Sequence, residues 1–398
     1  MSGALSGVRV LDLTAVVMGP YATQMLGDMG ADVIKVEAPA GDDMRHIGPM
    51  RNPGMGHIYL NLNRNKRSLA IDLKKDAGRA ALLRVAAGCD VLVYNIRPQA
   101  MQRLGLSYEA LSAINRRLIY VGAVGYGSDG PYGGRPAYDD LIQGATAIPS
   151  LMQQSGSAVP RYAPVLVADR SVGQLVAVAV CAALYRRTVS GLGQSIEVPM
   201  FEGLAQFVLG EHLAGRTFEP AIGAAGYPRL LAEHRRPYAT KDGYVCALIY
   251  TDRHWVSFFE AIGRPELKAD ARYATYANRT ANIAAIYAFV AELMRERSTA
   301  QWLELFERAD IPAMPLHSVD SLIDDPHLAA TGFFALVDHP SEGRLRAMMP
   351  TGSWSESPPD VRRLAPRLGE HSADILREAG LSEPEIADAL GGHTDGPL

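Results

Sequence analysis

The chain has 398 residues, 48% apolar and 21% charged, with a formal net charge of -4; this length suits two domains or one with a large insertion, and this composition a soluble globular enzyme with a sizeable core. The charge leaves no electrostatic footprint for nucleic acid or an anionic membrane. Three scattered cysteines, Cys89, Cys181 and Cys246, form no C-x-x-C pair, which argues against a disulfide framework or a cysteine zinc site and fits a reducing, cytoplasmic setting.

The N-terminus runs Met-Ser-Gly-Ala into a strand pattern without the basic and apolar regions of a secretory signal. Strand patterns over 8–13, 32–36, 68–73, 90–94 and 118–124 alternate with helix patterns over 21–29, 77–87, 108–114 and 138–152, the signature of a parallel sheet covered by helices. Residues 164–168 read as an apolar strand ending at Asp169. A helix over 174–185, a Gly191-Leu192-Gly193 turn and a strand over 194–198 follow. The apolar run 172–185 is shorter than the roughly 20 residues of a membrane span and reads as a buried helix.

An amphipathic stretch then leads to about Ala214, and the Gly- and Ala-rich passage 223–228 looks like a linker to a second domain. That domain carries a Lys241-Asp242-Gly243 turn between two strands and three or four helices over 253–309. A Pro-rich return over 312–359 precedes final helices over 371–379, stopped by Gly380, and 383–390, which runs into a disordered-looking tail.

Several chemistries lack their residues. The first strand-to-helix turn, Val16-Val-Met-Gly-Pro-Tyr21, has one glycine where a dinucleotide fingerprint needs three, and the literal match at Gly125-Tyr-Gly-Ser-Asp-Gly130 runs into Pro131 and Gly133 instead of a helix. The ten histidines contain no H-E-x-x-H and no deaminase pattern, so no metal-ligand set is read. No G-x-S-x-G elbow exists, and Ser195 opens a strand.

Asp169 then stands out, at the junction Pro164-Val-Leu-Val-Ala-Asp-Arg-Ser-Val-Gly173 with apolar structure on both sides. Two readings are open for it: a helix N-cap that accepts the first free amides, or a functional carboxylate at a strand-to-helix junction, where open α/β sheets place ligands. Around it the N-terminal half supplies loops rich in Gly, Asn and cations: Gly41-Asp-Asp-Met-Arg45, Asn63-Arg-Asn-Lys-Arg-Ser68, Asn95-Ile-Arg97 and Arg103-Leu-Gly105.

In order and spacing these segments, with Gly19-Pro20, Gly130-Pro131, Pro136-Ala-Tyr138-Asp139, Ala168-Asp169, Gly191-Leu-Gly-Gln-Ser-Ile-Glu197 and Leu368-Gly-Glu-His371, resemble the class III coenzyme A transferases, the family of formyl-CoA and carnitine CoA transferases, over nearly the whole chain. The resemblance implies an α/β fold. A Rossmann-like large domain would be built from 1–205 and 326–398, with a linker over 206–225, a smaller α+β domain over 226–325 and an interlocked homodimer. It implies a carboxylate nucleophile at Asp169 acting on a coenzyme A thioester as substrate, with no tightly bound cofactor and no metal.

By position in the family, Lys75, Asn95, Arg97 and Arg103 are candidates for the coenzyme A phosphates, with Val16 and Ala100 against its apolar parts; solvated surface charge is the other reading of the cations. Tyr138 and Asp139 match positions lining the active site, the ring placing the acceptor and the acid holding a neighbouring donor. Arg45 and Tyr59, with His46, Arg51 and Arg64, fall in loops that neighbour the substrate, and an Arg fork there would select a short dicarboxylic acid such as succinate, itaconate, mesaconate or glutarate.

Two departures narrow this reading. Val17 replaces a Gln, and 229–236 replaces a glycine run, of the formyl-CoA transferases, which points away from oxalate and formate. Tyr138 stands where the related α-methylacyl-CoA racemases carry His, which points away from racemisation. A non-catalytic CoA-binding relative is the remaining alternative, and loss of Asp169 would be its mark.

Overall fold

Residues 3–391 are described by the computed structural model; the tail expected after Leu390 lies outside the described residues from 392 onward. The chain divides into two units, one of residues up to 146, 164–207 and from 327, the other of Ala147–Ala163 and Val208–Pro326. The expected linker over 206–225 is not a linker. The helix Met200–His212 crosses the boundary, 208–225 belongs to the second unit, and so does Ala147–Ala163, which the sequence had assigned to the large domain.

The first unit is built on six parallel strands, β1 (Arg9–Leu13), β2 (Asp32–Glu37), β3 (Lys66–Ala70), β4 (Val91–Tyr94), β5 (Ile119–Val124) and β6 (Gln194–Pro199), in the order β3-β2-β1-β4-β5-β6. Runs such as Val91-Leu-Val-Tyr94 are buried throughout, as strands covered on both faces must be. Crossovers include α1 (Met18–Asp28), α2 (Asp76–Ala87), α3 (Asp139–Ala145) and α4 (Val167–Ser190). The strand order reverses between β1 and β4, and at such a point the loops beyond the strand carboxyl ends part to leave a crevice. The C-terminal helices Ser372–Glu378 and Glu383–Ala389 return to this unit and bury Ile375, Leu376 and Ile386 in one core with Leu82 and Val85 of α2.

Three local expectations change. The helix read over 138–152 is two, because Ala147 takes a left-handed conformation (φ 68°) and Pro149 sits in the first turn of the helix Ile148–Gln154. Residues 164–166 are exposed coil rather than a strand, and the helix begins at Val167; four apolar residues are too few to separate a strand from a buried helix start. The Pro-rich return contains an antiparallel hairpin, β10 (Phe334–His339) with β11 (Gly343–Met348), after three strands in the second unit.

α4 is long and apolar enough to cross a membrane by length and composition, but half of that stretch is buried inside the unit, and it ends at Gly191 in a left-handed turn (φ 73°). The second unit carries β7 (Tyr238–Ala239), β8 (Tyr244–Ala247) and β9 (Ala313–Pro315), with the Lys241-Asp242-Gly243 turn joining the first two. Its helices pack Trp255, Phe258, Phe259, Trp302 and Phe306 into an aromatic core.

A buried ionic layer lies among β1, β2 and β3. Lys66 Nζ meets Asp12 Oδ2 at 3.0 Å and Lys35 Nζ meets Asp42 Oδ2 at 2.9 Å, all four side chains closed to solvent. Arg45 Nε and Nη2 fork onto both oxygens of Glu37 at 2.7 and 2.8 Å. The Arg45 guanidinium also lies 3.8 Å from the Tyr59 ring centre and donates to the Gly54 and Pro366 carbonyls. Arg45 is 1% exposed and Tyr59 fully buried, so the substrate-binding role expected of both is corrected: their polar atoms are spent on packing the chain against itself. Arg64 pairs with Asp28, Arg51 donates to the Glu342 carbonyl and His46 meets the Ala40 carbonyl, so none of this group forms a free cationic wall.

Removing one partner of such a pair strands a buried charge. Arg45→Ala is expected to lower unfolding stability by about 3–5 kcal/mol in denaturant titration, leaving the acceptor KM of the surviving folded enzyme nearly unchanged; a large KM rise at constant stability would contradict the structural role.

Candidate active site

At the switch between β1 and β4 lies a cleft of about 350 Å³, lined by the β1 loop (Ala15 to Met18), the β4 loop (Asn95 to Pro98), the β5 loop (Gly125 to Tyr138) and Asp169. The β1 loop is fixed by neighbours that exhaust its polar groups. Asn95 brackets Ala15 in both directions, accepting its N–H at 3.0 Å and donating to its carbonyl at 2.7 Å. Lys35 donates to the Thr14 carbonyl at 2.9 Å, and Asp42 accepts the Val16 N–H at 3.2 Å while paired with the same lysine. Between these clamps Val16 is held at φ 70°, a left-handed conformation that a β-branched residue adopts only under constraint.

This strained turn delivers the start of α1 to Asp169. The Met18 N–H hydrogen-bonds the Asp169 carboxylate. A Cβ on Gly173 would lie 2.8 Å from the Met18 carbonyl, so a glycine one helical turn beyond Asp169 is what lets α1 approach α4. Asp169 is therefore not at a strand-to-helix junction, and it is not the N-cap, which is Leu166; it is the third residue of α4. Its own N–H is capped from another segment, by Asp139 Oδ2 at 3.0 Å, and Gln143 Nε2 holds the other Asp139 oxygen at 2.5 Å. The neighbouring donor expected for Asp139 is thus the Asp169 backbone.

Two carboxylates share this corner, and Asp169 is 8% exposed. Burial first, and the Asp139 charge second, push the Asp169 carboxyl up to about 7, against the lowering effects of Arg170 and the Met18 N–H. Arg170 itself stacks on Tyr21 at 4.5 Å. The carboxyl therefore keeps its proton to a much higher pH than an exposed Asp does.

The other candidates divide into two groups. Val16, Asn95, Arg97 and Tyr138 line the cleft with Asp169, although Asn95 spends its amide on Ala15. Lys75 at the start of α2, and Ala100 and Arg103 on the helix Pro98–Arg103, are not in the cleft wall; Lys75 and Arg103 are exposed. Among residues with no site role in the sequence reading, Arg135 adds an exposed cation to the wall; Val17, read from the sequence only as a departure from the formyl-CoA transferases, is 1% exposed and has a backbone N–H without an acceptor among the described residues. No side-chain signal could have announced the Val17 or Met18 amides, whereas Lys35 inside the apolar run Asp32-Val-Ile-Lys-Val-Glu37 does announce a buried partner.

With this geometry the chain can be set beside known proteins. The model of the family described as CoA-transferase family III matches residues 5–372. The chain is similar to the succinyl-CoA:glutarate CoA-transferase of Homo sapiens, 32% identical over 382 residues that span 94% of this chain and 85% of that one. It is equally similar to a formyl-CoA:oxalate CoA-transferase of Bradyrhizobium diazoefficiens, 32% identical over 423 residues spanning 100% and 98%. In structure it resembles a CAIB/BAIF family protein from Brucella suis, with a TM-score of 0.80 at 30% identity covering 95% of this chain and 100% of that one.

The raised carboxyl has a consequence for stability. An unfolded Asp loses its proton near 3.8, the folded Asp169 only near 7, so between these values the folded chain binds the extra proton and stability falls as pH rises. Above about 7 the full penalty stands, on the order of 2–4 kcal/mol. Asp169→Asn is expected to melt higher than wild type at pH 8 and to match it near pH 4; a variant less stable than wild type at pH 8 would show that the site does not strain this carboxylate.

Proposed function

The chain belongs to CoA-transferase family III, and from that premise we propose that it moves coenzyme A from succinyl-CoA or a similar donor to a C4 to C6 dicarboxylic acid, with Asp169 as nucleophile. The observation that carries the proposal is a buried carboxylate at the sheet's switch point, held between the Met18 N–H and the Asp139-capped start of α4. Ionised Asp169 attacks the thioester carbonyl and expels CoA thiolate, leaving an acyl-aspartyl anhydride. The thiolate then attacks the Asp169 carbonyl, releasing the donor acid and forming an aspartyl-CoA thioester. The acceptor carboxylate attacks that thioester, the thiolate leaves again, and its attack on the acceptor acyl group of the second anhydride frees Asp169 and acyl-CoA.

Each tetrahedral intermediate places charge on an oxygen. The Met18 N–H and the unpaired Val17 N–H, at the start of α1, are the donors positioned to receive it. Burial that raises Asp169 also strengthens it as a nucleophile once ionised, since its lone pairs are poorly solvated. Arg97 and Arg135 are the cleft's cations, and we assign the acceptor's second carboxylate to them in place of Arg45. The human relative's name, with glutarate as acceptor, supports a diacid of that length; the oxalate-acting relative supports a diacid without supporting the length. Lys75 and Arg103 make no ion pair among the described residues and are assigned to the coenzyme A phosphates, with Ala100 and Val16 against its apolar arm.

A homodimer belongs to the same proposal. Val178, Tyr185 and Val189, 64%, 75% and 73% exposed, follow one face of α4 and form an apolar stripe suited to a second copy. If the two chains interlock, dilution yields no folded monomer, and light scattering across a wide concentration range reads a constant dimer mass; a reversible monomer–dimer equilibrium would contradict the interlock.

Two measurements test the chemistry. Asp169→Ala is expected to abolish transfer, and wild type incubated with acyl-CoA and hydroxylamine to carry a hydroxamate on the Asp169 peptide; full activity in the Ala variant would sink the assignment. With Asp169 titrating at about 7, kcat/KM for the donor rises with pH through neutrality and falls about tenfold per unit well below it. In an acceptor panel glutarate, succinate, itaconate and mesaconate should outrun butyrate, and Arg97→Gln with Arg135→Gln should narrow that gap; faster turnover of butyrate would overturn the diacid assignment.

A further inference from the structure

The second unit holds a cavity of about 450 Å³ that shares no lining residue with the Asp169 cleft. Its wall carries Arg229, Arg235 and Arg236, three cations from one short segment, and no Asp or Glu. None of the three makes an ion pair among the described residues. Arg229 is half-buried and oriented: its Nε donates to the Tyr287 hydroxyl at 3.0 Å, and its guanidinium lies 5.2 Å from the Tyr250 ring centre. That frame uses the Nε edge and leaves the Nη groups to an incoming oxygen pair. The floor is apolar, with the buried rings of Tyr238 and Trp255.

A solvated arginine cluster needs neither a concave apolar floor nor an aromatic frame around one of its members. A volume of this size lies in the range of small-molecule sites, in which a few polar groups fix orientation above an apolar lining. Guanidinium forks match carboxylates bidentately, and aromatic walls match a carbon skeleton.

We propose that this cavity is a second binding site, taking an organic carboxylate whose apolar or aromatic body rests on Trp255 and Tyr238 while its carboxylate meets Arg229, Arg235 and Arg236. The site needs no transfer chemistry, and its occupancy does not depend on the role assigned to Asp169.

Cys246, a free thiol in the same wall, reports occupancy directly. The intact protein is alkylated with iodoacetamide in the presence of 3-phenylpropionate, its neutral twin 3-phenylpropionamide, or inorganic phosphate, and the rate at Cys246 is read by peptide mass spectrometry with Cys181 as internal reference. 3-Phenylpropionate is expected to slow Cys246 alkylation saturably by about fivefold, the amide and phosphate far less, and Cys181 to be unaffected. Arg235→Gln with Arg236→Gln should abolish the protection; both side chains are exposed, so their loss leaves the core intact. Asp169→Asn should keep it, which separates this site from the cleft. Absence of protection overturns the proposal, as do equal protection by the amide or by phosphate, persistence in the double arginine variant, or loss in Asp169→Asn.

Discussion

The buried pair of Lys35 with Asp42 is the interaction on which the site depends. Lys35 reaches from the middle of β2 to bind the Thr14 carbonyl and the Asp42 carboxylate at 2.9 Å each, and Asp42 in turn holds the Val16 N–H. Neither charge can reach water, so each is bound to the other by the cost of leaving it alone. The backbone between Thr14 and Val16 is thereby fixed at several points at once, which is the condition under which a left-handed valine persists. Everything that follows along the chain, the direction of α1 and the aim of its first amides, inherits that fixation.

The same corner is arranged against its own comfort. Asp139 caps the backbone of Asp169 and simultaneously places a second carboxylate beside it, so a contact that orders α4 also makes the Asp169 carboxyl harder to ionise. A helix start and the Met18 N–H work in the opposite direction. The balance falls near neutral pH, where the group is most responsive to what binds: a ligand cation or dipole favours the anion, and an apolar acyl chain favours the acid. Structure that resists its own ionised state is characteristic of sites where function is retained at the expense of stability.

Much of the fold was legible because its signals are local. Strands such as β4 and β5 are apolar runs, and the boundaries of all six strands of the parallel sheet shift by one to three residues in the structure. The break at Ala147 was not legible, since an alanine at φ 68° carries no turn signature, and the placement of Ala147–Ala163 in the second unit is set by long-range packing. At the site, Asp169 and Tyr138 could be found because they bear side-chain chemistry in a specific motif. The amides of Val17 and Met18 could not, because a backbone donor is made available by geometry alone.

The arginines show why charge in a loop is a weak guide to function. Arg45, Arg51 and Arg64 sit in segments that the family resemblance places near the substrate, yet each meets a carboxylate or carbonyl of its own chain. A guanidinium is more weakly hydrated than an ammonium and forks onto carboxylates, so it is the cation that a folded interior can best accommodate. In such a loop its count says little until its partners are known. What distinguishes Arg229, Arg235 and Arg236 in the second unit is a concave wall that carries no Asp or Glu, whereas Arg97 and Arg135 line their cleft together with Asp169 and Glu197 and make no ion pair among the described residues. An unpaired cation facing an apolar wall gains most from the ligand that neutralises it.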